Sequence, residues 1–171
     1  LGGVVLPPYR IERARQRPTG RWSVWKFNWL AHHKIAGAIE RARPHAHGVM
    51  LDVGCGARPF ETLFAGHVTR VWATDLTTSR DLGARRPDAF ATAEAQPIRG
   101  GSIDTVLGIS MLTYLPEPVR MIEEAHRVLA PGGTLILEFT QMSPLYGDYH
   151  DYFRFTRYGA SELLGRGGFE G

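Results

Sequence analysis

The sequence predicts an α/β protein built on a doubly wound, mostly parallel sheet. Three observations carry that prediction. A short apolar run, Val49–Val53, breaks into Gly54-Cys55-Gly56, the pattern of a buried strand ending in a tight turn that lets a ligand approach the backbone. A second apolar run ends on Asp75, about twenty residues later. Beyond it, strand-like runs alternate with stretches of helical period, as in a parallel sheet covered on both faces.

Taken in order, residues 1–20 are rich in Pro and Arg and lack a period, so they are expected to be extended or poorly ordered. From about residue 21 to 43, Trp22, Trp25, Trp29, His32 or His33, Ala36 and Ile39 return every three or four positions. This predicts a helix, ended by Pro44 and Gly48. Its aromatic stripe reads as a packing face, a lid over a substrate pocket or an anchor at a membrane surface. After the first strand, Phe60, Leu63 and Phe64 mark one face of a short helix stopping at Gly66. The second strand covers residues 68–74, with Val71 and Trp72 inside and Asp75 at its end. Residues 76–88 are polar and hold at most a short helix, and residues 90–93 form a third strand.

Gln96-Pro97 and Gly100-Gly101 make a turn-rich link to a fourth strand, residues 102–110, with Ile103, Val106, Leu107 and Ile109 as its apolar set. A helix is predicted over residues 117–129. Pro118 stands where a first-turn proline is tolerated, Val119, Ile122, Ala125 and Leu129 share one face, and Glu123 pairs with Arg127 on the surface. Pro131-Gly132-Gly133 stops this helix and leads into a fifth strand, residues 134–139. An irregular aromatic loop, residues 143–155, precedes a last helix over residues 156–164, with Thr156 as its N-cap.

With 171 residues the chain is large enough for one core without disulfides or metals. It reads as a basic arm and helix over residues 1–47, followed by a domain over residues 48–171. The arm carries nine Lys/Arg against two Asp/Glu, and the domain eleven against fifteen, so a +7 segment precedes a −4 one. Such an arm suits nucleic acid, anionic lipid, a phosphorylated substrate or plain solvent. No apolar run approaches the roughly 18 residues of a membrane span and no signal peptide is visible. The single cysteine, Cys55, forms no internal bridge, so a cytoplasmic location is the default expectation. The seven histidines show no metal-ligand spacing. The chain begins on Leu1 and stops soon after Gly167-Gly168-Phe169, so it is expected to be truncated before the last two strands of such a sheet.

In a doubly wound sheet, ligands bind beyond the carboxyl ends of the strands where strand order reverses. Gly54 and Gly56 close the first strand there. Asp75 closes the second, where a carboxylate accepts both hydroxyls of a ribose. A dinucleotide fingerprint wants a third glycine near position 59, and Pro59 stands there instead. The turn therefore suits a small nucleoside better than a pyrophosphate.

Leu51-Asp52-Val53-Gly54-Cys55-Gly56 resembles the first motif of class I S-adenosylmethionine (SAM)-dependent methyltransferases, and Val71-Trp72-Ala73-Thr74-Asp75 resembles their ribose-binding strand. Ala93-Glu94-Ala95-Gln96-Pro97-Ile98 with Ser102-Ile103-Asp104 is similar to their "AEaLPF…SFD" segment. Leu112-Thr113-Tyr114-Leu115-Pro116-Glu117-Pro118 is similar to "LEHLPDP", and Arg127-Val128-Leu129-Ala130-Pro131-Gly132-Gly133 to "RVLKPGG". The nearest branch is the small-molecule group called methyltransferase type 11. His150-Asp151-Tyr152-Phe153-Arg154-Phe155-Thr156 resembles the "DYwRFT" signature of a subset of it.

The resemblance implies a Rossmann-like fold, SAM as cofactor, and methyl transfer to oxygen or nitrogen of a small molecule. It implies that Gly54, Cys55 and Gly56 run beside the methionine part of SAM and that Asp52 helps hold its amino group. Asp75 takes the ribose hydroxyls, with Leu76 on the adenine. Thr92, Ala93 and Glu94 border the adenine edge, and Ser110 with Met111 floors the pocket under the sulfonium. Thr92 stands where the family usually has Asp, Gln96 where it has Leu, Thr113-Tyr114 where it has Glu-His, and Tyr146 near a usual His.

Methyl transfer needs mainly alignment, with a base only for a hydroxyl or a protonated amine. The candidates on the acceptor side are His150 as base, Arg154 as a holder of a carboxylate or phosphate, and Asp151; Tyr146 and Tyr149 lie in the same loop. Asp151 and Arg154, three apart, equally suit a pair that orders the loop. Three alternatives stay open: a non-catalytic SAM-binding domain, a nucleic-acid methyltransferase using the basic arm, and an NAD-dependent oxidoreductase. No Asn/Asp-Pro-Pro-Tyr/Phe motif follows the fourth strand, which argues against the second, and Pro59 argues against the third.

Overall fold

The computed structural model describes residues 29–80, 82–139, 141–142 and 150–169. Expectations for Trp22, Trp25, Tyr146 and Tyr149 lie outside these residues, as do the side chains of Trp29, His32 and His33. The elements run α1 (Trp29–Ala42), β1 (Val49–Val53), β2 (Arg70–Asp75), β3 (Ala89–Phe90), β4 (Ile103–Ile109), α2 (Pro118–Val128), β5 (Leu129–Glu138) and α3 (Arg157–Arg166). The five strands lie in the order β3-β2-β1-β4-β5, and every neighbouring pair is parallel. The order reverses at β1, so the glycine turn that follows it sits at the switch point of the sheet.

Alternation along the strands sends side chains to two cores. On one face Leu51, Val53 and Val106 pack with Met121, Ile122, Ala125 and Val128 of α2, and with Leu163 and Leu164 of α3. On the other, Met50, Leu107 and Ile136 pack with Ile39 of α1 and with Phe64 from a 3₁₀ turn, Glu61–Phe64. Each fully buried Leu, Ile or Phe contributes about 1.5–3 kcal/mol relative to exposure, so both faces must be covered. Helix α3 is tied to α2 by an edge-to-face contact of His126 with Phe169 at 5.3 Å.

Several element boundaries and faces differ from expectation. In α1 it is Ile35, Ile39 and Ala42 that meet the sheet, while Ala36 is exposed. The short helix expected after the glycine turn is a single 3₁₀ turn, Glu61–Phe64, with Phe60 at its N-cap. In β2, Val71 and Trp72 are only half-buried, because β3 is two residues long and leaves that flank of β2 uncovered. The Arg70 guanidinium covers the Trp72 ring instead, 4.0 Å above its centroid. The buried face of α2 is Pro118, Met121, Ile122, Ala125 and Val128, with Val119 turned partly to solvent. Leu129 has already left the helix with extended backbone and pairs with Ile103. Pro131-Gly132-Gly133 is therefore a bulge within the β4–β5 pair rather than a helix stop, since Thr105 next pairs with Thr134. Thr156 caps α3 as expected, its hydroxyl accepting from the Gly159 N–H at 3.1 Å.

The junction between α1 and β1 is locked onto the start of β4. Thr105 Oγ1 accepts from His47 N–H at 2.9 Å and donates to His47 C=O at 2.8 Å. Asp104 accepts from Val49 N–H at 2.7 Å. Its carboxylate stands 2.0 Å from where a Cβ on Gly48 would be, and Gly48 has φ +57°, so only glycine fits there.

Candidate active site

The carboxyl ends of β1, β2 and β4 bring together eight of the residues expected around a nucleoside: Asp52, Gly54, Cys55, Gly56, Asp75, Leu76, Ser110 and Met111. The turn after β1 is built on Gly54 at φ +70° and Gly56 at φ +53°, and its first two amides, Gly54 and Cys55, both donate to Thr74 C=O. A Cβ on Gly54 would stand 3.3 Å from Met111 Cβ, so the turn and the loop after β4 face each other across a narrow gap.

Asp75 is 8% exposed. Its two carboxylate oxygens are oriented by backbone donors, Gly56 N–H at 2.6 Å and Leu76 N–H at 2.7 Å. Each oxygen keeps a second lone pair for a ligand hydroxyl. Leu76, next in the chain, is 46% exposed, an apolar surface beside a polar anchor.

Asp52 is the more unusual group. It lies in the middle strand between Ala73 and Leu107 and is 4% exposed. Among the described residues no hydrogen bond reaches its carboxyl, which meets only the charges of Arg58, Glu61 and Asp75. Burial pushes its pKa up to about 7, Arg58 works against this, and Glu61 and Asp75 add to it. Its oxygens are not sealed, since Arg43 Nε is the only fully enclosed side-chain polar atom without a partner among the described residues, so the carboxyl is open to a donor from outside the chain. It fits a site completed by a cationic donor from a ligand, such as the ammonium of a methionine moiety. Cys55, by contrast, is closed: burial pushes its thiol up to about 12, so it remains neutral and is no nucleophile.

Two residues that sequence reasoning did not single out, and a third named only as a departure from the family pattern, organise the site. Arg58, at φ +60°, carries a buried guanidinium that pairs with Glu61 at 2.8 Å and Asp88 at 3.2 Å, and donates to Arg86 C=O. Burial disfavours its charge, but the two carboxylates outweigh that and hold its pKa above the ordinary value. The pairings fasten the glycine turn to the loop after β2. Glu138 ends β5; its C=O accepts from Ser110 N–H at 2.9 Å and its Oε2 accepts from Ser110 Oγ at 2.5 Å. Ser110 has φ +52°, a left-handed conformation costing a non-glycine residue roughly 1–2 kcal/mol, and these two bonds hold it there. A carboxylate ending an apolar strand is the signal that singled out Asp75, and it was available for Glu138 too.

Gln96 is the third. Its amide accepts from Thr74 Oγ1 at 2.9 Å and donates to Thr92 C=O at 2.8 Å, while its own N–H donates to Glu124 at 2.6 Å. This draws Arg127 to Glu124, 2.6 Å away, and not to the expected Glu123, and Arg127 holds the Glu124 pKa below its usual range. Replacing Gln96 by Leu is expected to destabilise the fold by about 1–3 kcal/mol, because Thr74 is left with an unpaired buried hydroxyl. Urea unfolding of the variant reads this as a lower midpoint at unchanged slope.

The remaining expected residues are less concentrated. Ala93 packs against the α2-side core and Thr92 is exposed. Glu94 lines a shallow surface depression with Arg120, Glu123, Glu124 and Arg127, on the α2 side. On the acceptor side, Tyr152 and Phe153 N–H both donate to Thr113 C=O, which fastens this segment to the loop after β4. Asp151 and Arg154 form a two-point pair, with Arg154 Nη2 2.6 Å from Asp151 Oδ2. His150 is exposed and starts a run of rings through Tyr152, Phe153 and Phe155 to Phe139, with successive centroids 5.7–6.3 Å apart.

Comparison with known proteins agrees with this geometry. The family described as "Methyltransferase domain" matches residues 51–137, from β1 through β5. A ubiquinone biosynthesis O-methyltransferase of Psychrobacter arcticus is 28% identical over 137 residues, 70% of this chain and 53% of that protein. The chloroplastic tocopherol O-methyltransferase of Arabidopsis thaliana is 25% identical over 116 residues, 61% of this chain and 33% of that protein. The chain thus spans about half the length, or less, of these curated relatives. Among solved structures, an S-adenosylmethionine-dependent methyltransferase from Mesorhizobium loti superposes with a TM-score of 0.60 at 20% identity, covering 84% of this chain and 81% of that one. With the glycine turn, an aspartate closing β2 and the parallel order β3-β2-β1-β4-β5 in one unit, and with half of the sequence matched by the family, the chain belongs to the methyltransferase domain family, class I and SAM-dependent.

Proposed function

We propose that this domain transfers the methyl group of SAM to a hydroxyl oxygen of a small-molecule acceptor. The observation that carries the reading is Asp52, a buried carboxyl with no hydrogen-bond donor, set beside a glycine turn whose neighbouring carboxylate is already oriented. Support for oxygen comes from the relatives, two of which are named O-methyltransferases.

When bound, SAM supplies a methyl group activated on a sulfonium. The chain's part is to align and to discriminate. Asp52 receives the ammonium, and Asp75 receives the ribose hydroxyls on the lone pairs that Gly56 and Leu76 leave open. Leu76 would offer its exposed face to the adenine, and Ser110 and Met111 would floor the pocket opposite Gly54, while Glu94 stands apart on the α2 side and is not assigned to the adenine. The carboxylates of Asp52 and Asp75 make this end of the sheet acidic, which favours a ligand carrying two positive groups and one carboxylate. On the acceptor side, Asp151 and Arg154 hold the segment that presents His150 and the aromatic run, which gives the acceptor an apolar wall.

Incubation with methyl-labelled SAM and a panel of hydroxylated and aminated small molecules tests the reading. Label in O-methyl products is the expected result. Label confined to amines overturns the oxygen assignment. SAM binding with no transfer to any acceptor favours a non-catalytic domain, and salt-sensitive labelling of RNA or DNA favours the nucleic-acid alternative.

A further inference from the structure

Resting on the O-methyl reading above, we propose that Ser110 and Glu138 form the proton-accepting pair for the acceptor hydroxyl. Ser110 is the residue that touches the acceptor, and Glu138 acts through it. The Ser110 hydroxyl already donates to Glu138 Oε2, so its oxygen keeps lone pairs free to accept from an incoming hydroxyl. Its backbone is held in the left-handed region by Glu138 C=O, so one residue fixes both the position and the direction of the serine oxygen. The pair stands at the carboxyl ends of β4 and β5, next to Met111, which faces Gly54 across the gap. Phe139 follows Glu138 directly and joins the run of rings on the acceptor side. A ring-bearing alcohol lying on that wall has the Ser110–Glu138 pair at the wall's Phe139 end.

The step balances without another reactant. The acceptor O–H proton passes to Ser110 Oγ as the Ser110 proton passes to Glu138. The acceptor oxygen forms its bond to the methyl carbon as the methyl–sulfur bond breaks, and the sulfonium becomes a neutral thioether. The proton left on Glu138 returns to solvent. His150, exposed at the far end of the ring series, is the competing base.

The test uses Glu138→Gln, in which the amide oxygen still accepts from Ser110 but takes no proton, and Ser110→Ala. For Glu138→Gln the expected result is a fall in kcat of about 100-fold or more, with KM for the acceptor and calorimetric SAM affinity within about twofold of wild type. Ser110→Ala gives a similar fall, and the double variant is no slower than either single one. A Glu138→Gln enzyme within threefold of wild-type kcat overturns the proposal. So does loss of SAM binding in step with loss of rate, or a His150→Ala variant whose kcat falls as far as that of Glu138→Gln while SAM affinity is kept. A wild type that transfers methyl to no hydroxyl overturns the O-methyl reading itself, and this inference with it.

Discussion

Replacing Asp75 by Ala is expected to weaken SAM binding by at least about 100-fold, which is about 2.7 kcal/mol. Two losses add up. The ribose loses a charged acceptor, worth about 1.5–3 kcal/mol for hydrogen bonds of that kind. The Gly56 and Leu76 amides lose their partner, so the turn is no longer held in the shape that receives the ligand. Asp75→Asn separates the two: an amide oxygen still accepts one of the backbone donors, while its NH₂ opposes the other. Its affinity should fall between those of wild type and Ala. Calorimetry at fixed salt measures all three, and equal affinities for wild type and Ala remove Asp75 from the site.

The second large effect is a pH dependence at Asp52. Burial raises its pKa from 3.8 to about 7 in the native chain, so between those values the native state binds more protons than the unfolded one. Stability contributed by this group is therefore full below about pH 4, falls as pH rises, and is lost above about 7. The span corresponds to on the order of 4 kcal/mol. Asp52→Asn, which carries no charge to bury, should be more stable than wild type at pH 8 and should lose that advantage by pH 4. Ligand binding has the opposite sign. A cationic ammonium favours ionised Asp52, so SAM affinity should rise with pH and level off above about 7, and the Asn variant should bind weakly with no such rise. Chemical denaturation and calorimetry across pH 4–8.5 measure both trends, and a wild type with flat profiles in both would overturn the assignment.

Asp75 was legible as a candidate from its place at the end of an apolar run, whereas Asp52 was named only through the resemblance of Leu51–Gly56 to a family motif. Asp75 closes an apolar run, and the end of a parallel strand in a doubly wound sheet is where a ligand binds. The strands were legible for the same reason: β1 falls where its apolar run does, and β4 within one residue at each end. What periodicity does not encode is which side chain a polar group selects once the sheet is assembled. Gln96 reads in the sequence only as a replacement for the family's usual Leu, yet it is the partner of Thr74 on β2, Thr92 C=O and, through its own amide, α2. That choice then reassigns Arg127 from Glu123 to Glu124. Glu138 was missed for the same reason, since its partner Ser110 lies 28 residues away, and so was the reach of Arg58 beyond nearby Glu61 to Arg86 and Asp88, 28 and 30 residues on. The stop expected at Pro131-Gly132-Gly133 failed differently. Turn residues mark where a chain bends, but the buried side chain of Leu129 had already committed it to the sheet.

The Thr105 hydroxyl that brackets His47 has a dynamic consequence. It grips both the amide and the carbonyl of a residue 58 positions earlier, and it is itself fully buried. The His47 amide can exchange with deuterium only when this hydroxyl lets go, and that requires the start of β4 to part from the α1–β1 junction. Its exchange rate should therefore follow the opening of the central strands rather than the fraying of the nearby helix end, a local report on a global event.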